Sequence, residues 1–378
     1  MTVHVPKPRF GCMVSLLLLV LLLFAMSALG PSVVAAAGST CSKTAPAGQL
    51  RFLTFNVRRF KGEDGASSAA AIGRMLASLA PTVVALNEVD TRREPQALSA
   101  LAQQLGGYQV AFFGHAGGGH YGNALLSRHR ILAVRETHLR GGTEVEIPSG
   151  RHRIGRGLLE CDIELAPPGC GGQESTVVTV AVTHLDHMSE EQRSVQVQHL
   201  LEALGPNQAR TLLMGDFNAL NRSDYTDREW ISLEDRAASN QWSLPVPSGS
   251  LEALGSAGFV DAFLASRGGS PLGSDREALL DAAPPMAAAA AAATDGGIFT
   301  AHVGHPVYRI DYCFFARQLG WMPAAAAVQT DVHLSDHFPV VFDFDLPSAG
   351  GAAKEVVNSV EHQEGARAPA TLLTTRTS

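Results

Sequence analysis

The chain has 378 residues, 46% of them hydrophobic, and a formal net charge of −7 at pH 7. This is an ordinary globular composition, with enough apolar residues for a sizeable core in one large domain or two smaller ones. The acidic balance argues against strong unspecific binding to nucleic acid or anionic lipid, although a local basic patch or a bound cation can overrule it. No CxxC or Cys/His metal spacing occurs among the five cysteines, which argues against structural zinc.

The first 37 residues differ from the rest of the chain. Lys7 and Arg9 precede an apolar run at 13–29, and three alanines follow at 35–37. This order predicts a signal peptide over residues 1–37, with cleavage after the small residues and a secreted or lumenal mature protein. The alternative is an uncleaved membrane anchor through residues 13–29. Cleavage would remove two positive charges and leave a net charge of −9.

Seven short apolar runs are typical of buried strands. They lie at 50–57, 82–87, 122–127, 176–184, 211–215, 308–315 and 338–344. Residues 68–80 have helical spacing, and residues 189–204 form a second predicted helix that opens with Ser189 and Gln192 in capping-box spacing. Helices between early strands predict an α/β fold.

One domain is predicted over residues 48–347. A stretch of Gly, Ser, Pro and alanine at about 265–297 indicates a low-complexity surface insertion, with a helix through the alanines as the alternative. Residues 348–378 are polar, small and without periodicity, which predicts a disordered tail.

Two features fit a secretory route. Cys161 and Cys170 flank a strand end and a Pro-Pro-Gly turn, which suits a disulfide in an oxidising compartment. Asn221, Arg222 and Ser223 form an N-glycosylation sequon.

Polar side chains lie at one end of six of the predicted strands. They are Asn56, Glu88, His184 with Asp186, Asp216 with Asn218, Asp311, and Asp336 with His337. A single residue of this kind is more often a turn or cap residue. Six such ends, carrying only Asn, Glu, Asp and His, instead predict a site where rigid strands open into loops.

The order of these motifs resembles the endonuclease/exonuclease/phosphatase family, the DNase I-like hydrolases. The matching pieces are TFNV, LNEV, GNALLSR, THLD, GDFNA, GFVDAF, RIDY and SDHFPV, from about residue 50 to 345. The resemblance implies a four-layered α/β sandwich with two central mixed β-sheets flanked by helices. It also implies divalent-metal-dependent cleavage of a phosphoester by an activated water.

Phosphoester hydrolysis needs a cation that neutralises phosphate oxygens, a positioned water and a proton donor for the leaving group. Glu88 with Asn56 beside it offers hard oxygen ligands suited to Mg²⁺, with Mn²⁺ as an alternative. The simpler interpretation of Glu88, a solvated surface carboxylate, fits poorly after the apolar run VVAL. The resemblance adds Asp336 as a second metal ligand.

The pair Asp216 and Asn218 suggests two roles in one cavity. Residues two apart on a strand point to the same side, so both side chains would face the site while Phe217 packs behind. An aspartate can hold and help deprotonate water, while an asparagine amide can donate to a phosphate oxygen. Asp216 is therefore predicted to be catalytic, and Asn218 to be both catalytic and substrate-binding.

The remaining predicted catalytic residues are His337, Asp311 and His184. His337 would face the phosphate, and Asp311 could hold its imidazole in one tautomer and favour the charged form. In the family this histidine stabilises the pentavalent phosphate or acts as a base, and both roles stay open. His184 could protonate the leaving oxygen, the alternative being a core histidine bonded to a neighbour.

Two further residues precede strands that carry these motifs. The resemblance places Asn123 on the phosphate side as a substrate contact. Arg156 precedes GLLECDIEL and could contact an anionic substrate, but an exposed arginine is the commoner interpretation.

The substrate is less constrained than the chemistry, because the family cuts nucleic acids, phosphoinositides and sphingomyelin with nearly the same inner residues. The acidic mature chain and the absence of Lys/Arg runs favour a small or lipid phosphoester over nucleic acid, with a secreted nuclease as the alternative. A non-catalytic binding module on the same fold is a third hypothesis. A monomer without an obligate protein partner is expected.

Overall fold

The computed structural model describes residues 49–148, 150–165, 175–240, 248–269, 297–304 and 306–345. In chain order, the strands within these residues are β1 Gln49–Asn56, β2 Val83–Asp90, β3 Gln109–Ala116, β4 Tyr121–Ser127, β5 Arg130–His138, β6 Glu144–Ile147, β7 Gly150–Arg153, β8 Gly157–Leu165, β9 Thr176–His184, β10 Thr211–Asp216, β11 Phe259–Asp261, β12 Asp311–Ala316, β13 Met322–Val328 and β14 Val340–Asp345. The α-helices are α1 Ala69–Leu79, α2 Ala97–Gln104, α3 Glu190–Leu204, α4 Asp227–Asn240, α5 Gly249–Ser256 and α6 Ala262–Ala265.

The strands form two six-stranded mixed sheets and a separate β6–β7 hairpin. The first sheet has the order β13-β14-β1-β2-β4-β3, and the second has the order β11-β12-β10-β9-β8-β5. Each sheet contains one parallel pair, β1 with β2 and β9 with β10, while the other neighbours are antiparallel.

Three apolar cores stack these elements into four layers. Phe52 belongs to the core between the two sheets, whereas Leu53, its neighbour on β1, packs with Leu76 and Leu101 of α1 and α2. On the far side of the second sheet, α3 and α5 cover a third core that contains Phe217. Because both faces of the central strands are buried, their sequences are continuous apolar runs rather than alternating patterns. The predicted four-layered α/β sandwich with two mixed sheets is confirmed.

The strand pairing gathers the polar residues at one end of the sandwich. In the first sheet Asn56 is aligned with Asn87, which immediately precedes Glu88. In the second sheet Asp216 is aligned with His184 on one side and with Asp311 on the other. Because parallel strands end at the same edge of a sheet, residues distant in sequence become neighbours there.

The seven predicted strands and both predicted helices are found, with boundaries shifted by up to three residues. The Ser189 hydroxyl accepts a hydrogen bond from the backbone N–H of Gln192, so the predicted cap of α3 is also present. The signal peptide, the tail at 348–378 and most of the insertion at 265–297 lie outside the described residues. No helix in the described ranges is long and apolar enough to cross a membrane.

The predicted disulfide is not found among the described residues. Cys161 is a free thiol, fully buried in the core between the sheets, and Cys170 lies outside the described residues. Cys161 points to the inter-sheet core because it lies in the middle of β8, rather than at the strand end that the prediction assumed. Asn221 is partly exposed and caps a short turn through Ser223, and its glycosylation stays a prediction.

Candidate active site

Asp216 is the centre of the candidate site. It is the last residue of β10 and only 2% exposed, and each of its carboxylate oxygens accepts a hydrogen bond. Its Oδ1 accepts a hydrogen bond from the backbone N–H of Asn218 at 3.0 Å, and its Oδ2 accepts one from Asn56 Nδ2 at 3.0 Å. Gly215 before it has φ 139°, and a Cβ there would lie 1.9 Å from the Thr183 carbonyl oxygen. This close strand approach, open only to glycine, fixes where the aspartate is presented.

Two asparagines beneath Asp216 join the sheets. The Asp216 backbone N–H donates to Asn87 Oδ1 at 3.0 Å, and Asn87 Nδ2 donates to Asn123 Oδ1 at 2.9 Å. Asn123 Nδ2 in turn donates to the carbonyl oxygens of Gly157 and Val182. Asn123 is fully buried with both amide atoms occupied by protein, so its predicted contact with substrate does not fit this placement. Its position instead supports the network that holds Asp216.

His337 approaches Asp216 from one side. Its Nδ1 lies 2.8 Å from Asp311 Oδ2, and its Nε2 lies 3.8 Å from Asp216 Oδ2. Burial alone would lower the pKa of His337, but the charge and hydrogen bond of Asp311, together with the charge of Asp216, raise it to about 10. His337 is therefore an imidazolium at neutral pH. The predicted pairing of Asp311 with His337 is present.

His184 approaches Asp216 from the other side, with Nε2 3.5 Å from Asp216 Oδ2. Arg156 Nη1 donates to His184 Nδ1 at 3.2 Å, and Arg156 Nη2 donates to His187 Nδ1 at 3.1 Å. Because arginine has no acceptor, both Nδ1 atoms must be unprotonated, and each imidazole carries its proton on Nε2. Burial and then the Arg156 charge lower the pKa of His184 well below its usual range. His184 is therefore neutral.

Arg156 is the main residue that the sequence analysis undervalued. It is 4% exposed, which makes the interpretation as a surface arginine wrong. The sequence showed only that Arg156 immediately precedes the strand that begins at Gly157. Its two contacts could not be predicted, because His184 ends a different strand and His187 lies in the loop that follows. Asn87 was missed for a similar reason, since its partners Asn123 and Thr183 belong to other strands.

Glu88 is partly exposed and lies within β2. Its φ of 57° is in the left-handed region, and the β2–β4 register shifts between Leu86 and Val89 around it. A non-glycine residue held in this conformation at a bulge is typical of a functional position. Asn56 Nδ2 donates to Glu88 Oε1 at 3.2 Å as well as to Asp216, so the amide nitrogen of Asn56 links the two carboxylates.

Asp336 lies at the rim of the site. It is partly exposed, and its Oδ2 is 3.2 Å from Arg58 Nε. Ser335 fixes the neighbouring backbone, because its hydroxyl donates to the Asn56 carbonyl oxygen at 2.8 Å. Asp336 is thus close in the fold to Asn56, as a shared role in metal binding requires.

Asn218 reaches the site by a different route from the one expected. β10 ends at Asp216, and Asn218 has a left-handed φ of 50°, so strand alternation does not place its side chain. Its Nδ2 donates to the Leu185 carbonyl oxygen at 3.2 Å, and its backbone N–H caps Asp216. Phe217 packs in the core behind the site, as predicted.

The donor chemistry of the site fits a hard divalent cation. Asp216, Asp311 and His337 place polar atoms within 4.8 Å of one another, and Glu88 is joined to them through Asn56. A charged His337 has no free lone pair, so the oxygens of the carboxylates are the ligands on offer. Burial and the neighbouring Asp311 carboxylate raise the pKa of Asp216 to about 7, although His337 opposes the shift. Burial is the larger cause of this shift and the Asp311 charge the second, and a divalent ion bound nearby would favour the ionised form of Asp216.

Comparison with known proteins identifies the fold. An endonuclease/exonuclease/phosphatase family protein from Bacteroides thetaiotaomicron has a TM-score of 0.53 and 16% identity, covering 79% of this chain and 98% of that one. The human Nocturnin catalytic domain, which holds a sulfate anion, has a TM-score of 0.51 and 18% identity, covering 80% and 96%. A mannosyl-6-phosphatase from Bacteroides thetaiotaomicron has a TM-score of 0.51 and 16% identity, covering 78% and 99%.

A search of curated protein sequences found no match. The model of the Endonuclease/Exonuclease/phosphatase family matches residues 53–337, which is most of the chain and includes every site residue described above. This chain therefore belongs to the endonuclease/exonuclease/phosphatase family.

Proposed function

We propose that this protein is a divalent-metal-dependent phosphoesterase that uses an activated water. The observation that carries the proposal is the set of groups around Asp216. One buried carboxylate lies between a charged histidine and a neutral one, and an amide joins it to Glu88. These groups supply the proton acceptor, the phosphate ligands and the metal ligand that the reaction needs.

Glu88 and Asp336, with Asn56 between them, would hold the metal, and Mg²⁺ is the ion that this oxygen set suits best. Bound there, the ion would neutralise phosphate oxygens and the developing negative charge. Mn²⁺ accepts the same ligands. Direct ligation by the Asn56 oxygen stays a prediction, since that oxygen accepts the Arg58 backbone N–H at 3.0 Å.

Asp216 is the residue that we assign to the attacking water. A carboxylate whose pKa lies at about 7 can take a proton from water near neutral pH more readily than an ordinary aspartate. The Asn218 backbone N–H and the Asn56 amide fix the orientation of its two oxygens.

The two histidines would bind the phosphate in different ways. His337, charged through Asp311, would place an imidazolium beside the oxygens that gain charge in the transition state. His184, held neutral by Arg156, would offer its Nε2–H as a hydrogen-bond donor. We therefore assign His184 to oxygen binding, a smaller role than the proton donation suggested by the sequence.

The substrate class and setting are the finer parts of the proposal. A small-molecule or lipid phosphoester is favoured over nucleic acid by the acidic chain, and the mannosyl-6-phosphatase neighbour supports activity on a small phosphate ester. A secreted nuclease is the alternative. We place the protein in the secretory pathway or outside the cell because of the apolar leader. A mature N-terminus near Gly38 in secreting cells would support this, and retention of residues 13–29 in membranes would contradict it.

The direct test is hydrolysis of bis-p-nitrophenyl phosphate and p-nitrophenyl phosphate by the purified chain. We expect turnover with Mg²⁺ or Mn²⁺ and none with EDTA. The absence of turnover on both esters and on DNA, RNA and phosphoinositides, with any of these ions, would instead support a binding module.

Glu88→Gln tests the metal assignment. The variant keeps the size and hydrogen bonding of Glu88 but removes its charge, so we expect a loss of about 10²-fold at limiting Mg²⁺, partly recovered at high Mg²⁺. Exposed Glu202 on α3 offers a matched control as Glu202→Gln. Equal Mg²⁺ dependence of Glu88→Gln and the parent would exclude Glu88 as a ligand.

A further inference from the structure

A cavity lies beside the candidate site. Its volume is about 350 Å³, and its lining residues are Arg59, Asp90, Arg92, Gly117, His120 and Tyr121. None of them has been given a role in the chemistry above. The cavity is formed by the turn after β1, the end of β2 and the β3–β4 hairpin.

The cavity and the candidate site share their walls. In the candidate site, Asn56 contacts Glu88. Arg59, three residues after Asn56, contacts Asp90, two residues after Glu88, with 2.7 Å between Arg59 Nη2 and Asp90 Oδ2. The Cα atoms of Glu88 and Asp90 are two virtual bonds apart, at most about 7.6 Å. Tyr121 lines the cavity and pairs with Asp90 across β4 and β2, beside Glu88. A molecule with its phosphate at Glu88 could therefore reach the cavity with a group only a few bonds away.

The backbone that carries Arg59 is strained. Three consecutive residues have φ values in the left-handed region, and none of them is glycine. The values are 45° for Arg58, 60° for Arg59 and 55° for Phe60. The left-handed region is unfavourable for residues with a Cβ. Phe60 is fully buried and anchors the turn, while Arg59 is directed towards Asp90. Strain that persists in this way is typical of a segment held for function.

The cavity has an excess of positive charge. Arg59 and Arg92 line it against the single carboxylate of Asp90. That carboxylate is already saturated, because it accepts hydrogen bonds from Arg59 and from the backbone N–H groups of Arg92 and Arg93.

Hydrogen-bond donors also remain for a ligand. Arg92 Nη2 donates to the Gly117 carbonyl oxygen, which holds the guanidinium at the hairpin. No other contact is made by the Arg92 side chain within the part of the chain that the structure describes. Its remaining N–H groups can bind an anion in the cavity.

We propose that this cavity binds a second anionic group of the substrate, so that the substrate is a small phosphoester with another phosphate or carboxylate near the scissile phosphate. The proposal rests on the proposed phosphoesterase function. Arg92 is the specificity residue, and Arg59 completes the charge.

The test compares three aryl phosphates that share one scissile group: phenyl phosphate, 3-carboxyphenyl phosphate and 3-phosphonophenyl phosphate. We expect the kcat/KM of the parent to be about tenfold higher for at least one of the two substituted esters than for phenyl phosphate. Which substituted ester has the higher kcat/KM distinguishes recognition of a carboxylate from recognition of a phosphate-like group. Arg92→Met should reduce that preference about tenfold. Arg92 is exposed, so the substitution does not threaten folding. Arg151→Met, at another exposed arginine, is the control and should keep the preference.

The outcomes separate this proposal from the proposed function. Equal kcat/KM for the three esters, or an undiminished preference in Arg92→Met, would overturn the second-anion site while leaving phosphoesterase activity established. If none of the three esters is hydrolysed, calorimetry with 3-phosphonophenyl phosphate still decides whether Arg92→Met weakens binding, and equal binding by the parent and the variant would overturn the second-anion site. The proposed function is then decided separately by the nitrophenyl esters, nucleic acids and phosphoinositides. Loss of single-stranded oligonucleotide binding in Arg92→Met, without any preference among the esters, would assign the cavity to a nucleic-acid backbone and overturn the small-molecule assignment.

Discussion

The two histidines beside Asp216 have opposite electrostatic environments. His337 is paired with the Asp311 carboxylate, and its pKa is raised to about 10. His184 is buried and bonded to the Arg156 guanidinium, and its pKa falls well below the usual range. Their Nε2 atoms nevertheless lie at similar distances, 3.8 and 3.5 Å, from the same carboxylate oxygen.

This difference shows that the partner on Nδ1, rather than the residue type, decides what each histidine can do. A carboxylate on Nδ1 favours the imidazolium, whereas an arginine excludes a proton from Nδ1 and disfavours charge. The site therefore offers a phosphate one cationic donor and one neutral donor. A second cation in place of neutral His184 would strengthen the ion pairing of Asp216 and reduce its ability to accept a proton.

The largest effect is expected at the carboxylate that both histidines face. Asp216→Asn keeps the shape but cannot accept a proton, so we expect a rate loss on the order of 10³-fold with little change in melting temperature. Steady-state hydrolysis of bis-p-nitrophenyl phosphate and thermal unfolding measure the two quantities. Full activity would refute the assignment, and a large loss of stability would make Asp216 a structural cap.

A double variant tests whether His337 acts with Asp216. His337→Ala alone should also lose about 10³-fold, and adding it to Asp216→Asn should cost far less than the product, because both act on one transition state. Additive losses would mean that the two residues serve separate steps.

Asp311→Asn removes the charge that distinguishes His337 from His184. The pKa of His337 should fall towards its ordinary value, and we expect a loss of about 10²-fold at pH 8, where the imidazolium would no longer be populated. Activity should recover partly as the pH is lowered to 6. NMR titration of the His337 imidazole gives the pKa directly, and an unchanged pKa in Asp311→Asn would break the comparison.

Arg156→Met removes the opposite partner. We expect a loss of about tenfold, with imidazole ¹⁵N spectra showing that His184 no longer keeps one tautomer. Arg156→Lys retains a cationic donor and should recover part of both the rate and the tautomer signal. A uniform Nε2–H tautomer in Arg156→Met would mean that Arg156 only fills space.

The sequence predicted the fold well because its strands are long apolar runs and the motifs come in the family's order. The sequence also led to His337, Asp311 and Asp216, which the structure brings together, since each stands at a strand boundary in a recognisable motif; their catalytic roles stay predictions. Arg156 and Asn87 were not, because their roles arise from pairing between distant strands, which spacing does not encode. The position of Asn218 was explained wrongly, because the alternation of side chains along a strand was applied two residues past the end of β10 at Asp216.

The smallest effect concerns stability rather than rate, and it follows from the sign of the His337 shift. A histidine with a raised pKa stabilises the folded state fully below its unfolded pKa of about 6.5, and this contribution is lost as the pH rises through the folded value of about 10. In that window the folded chain holds one proton that the unfolded chain has released. We expect the free energy of unfolding, measured with EDTA in urea, to fall by about 1 kcal/mol per pH unit between pH 7 and 9. Asp311→Asn should flatten this dependence, because Asp311 holds the extra proton on the His337 imidazole. Arg156→Lys should keep it, because Arg156 contacts His184 and not His337. A parent chain with constant stability across this window would show that His337 is not held charged.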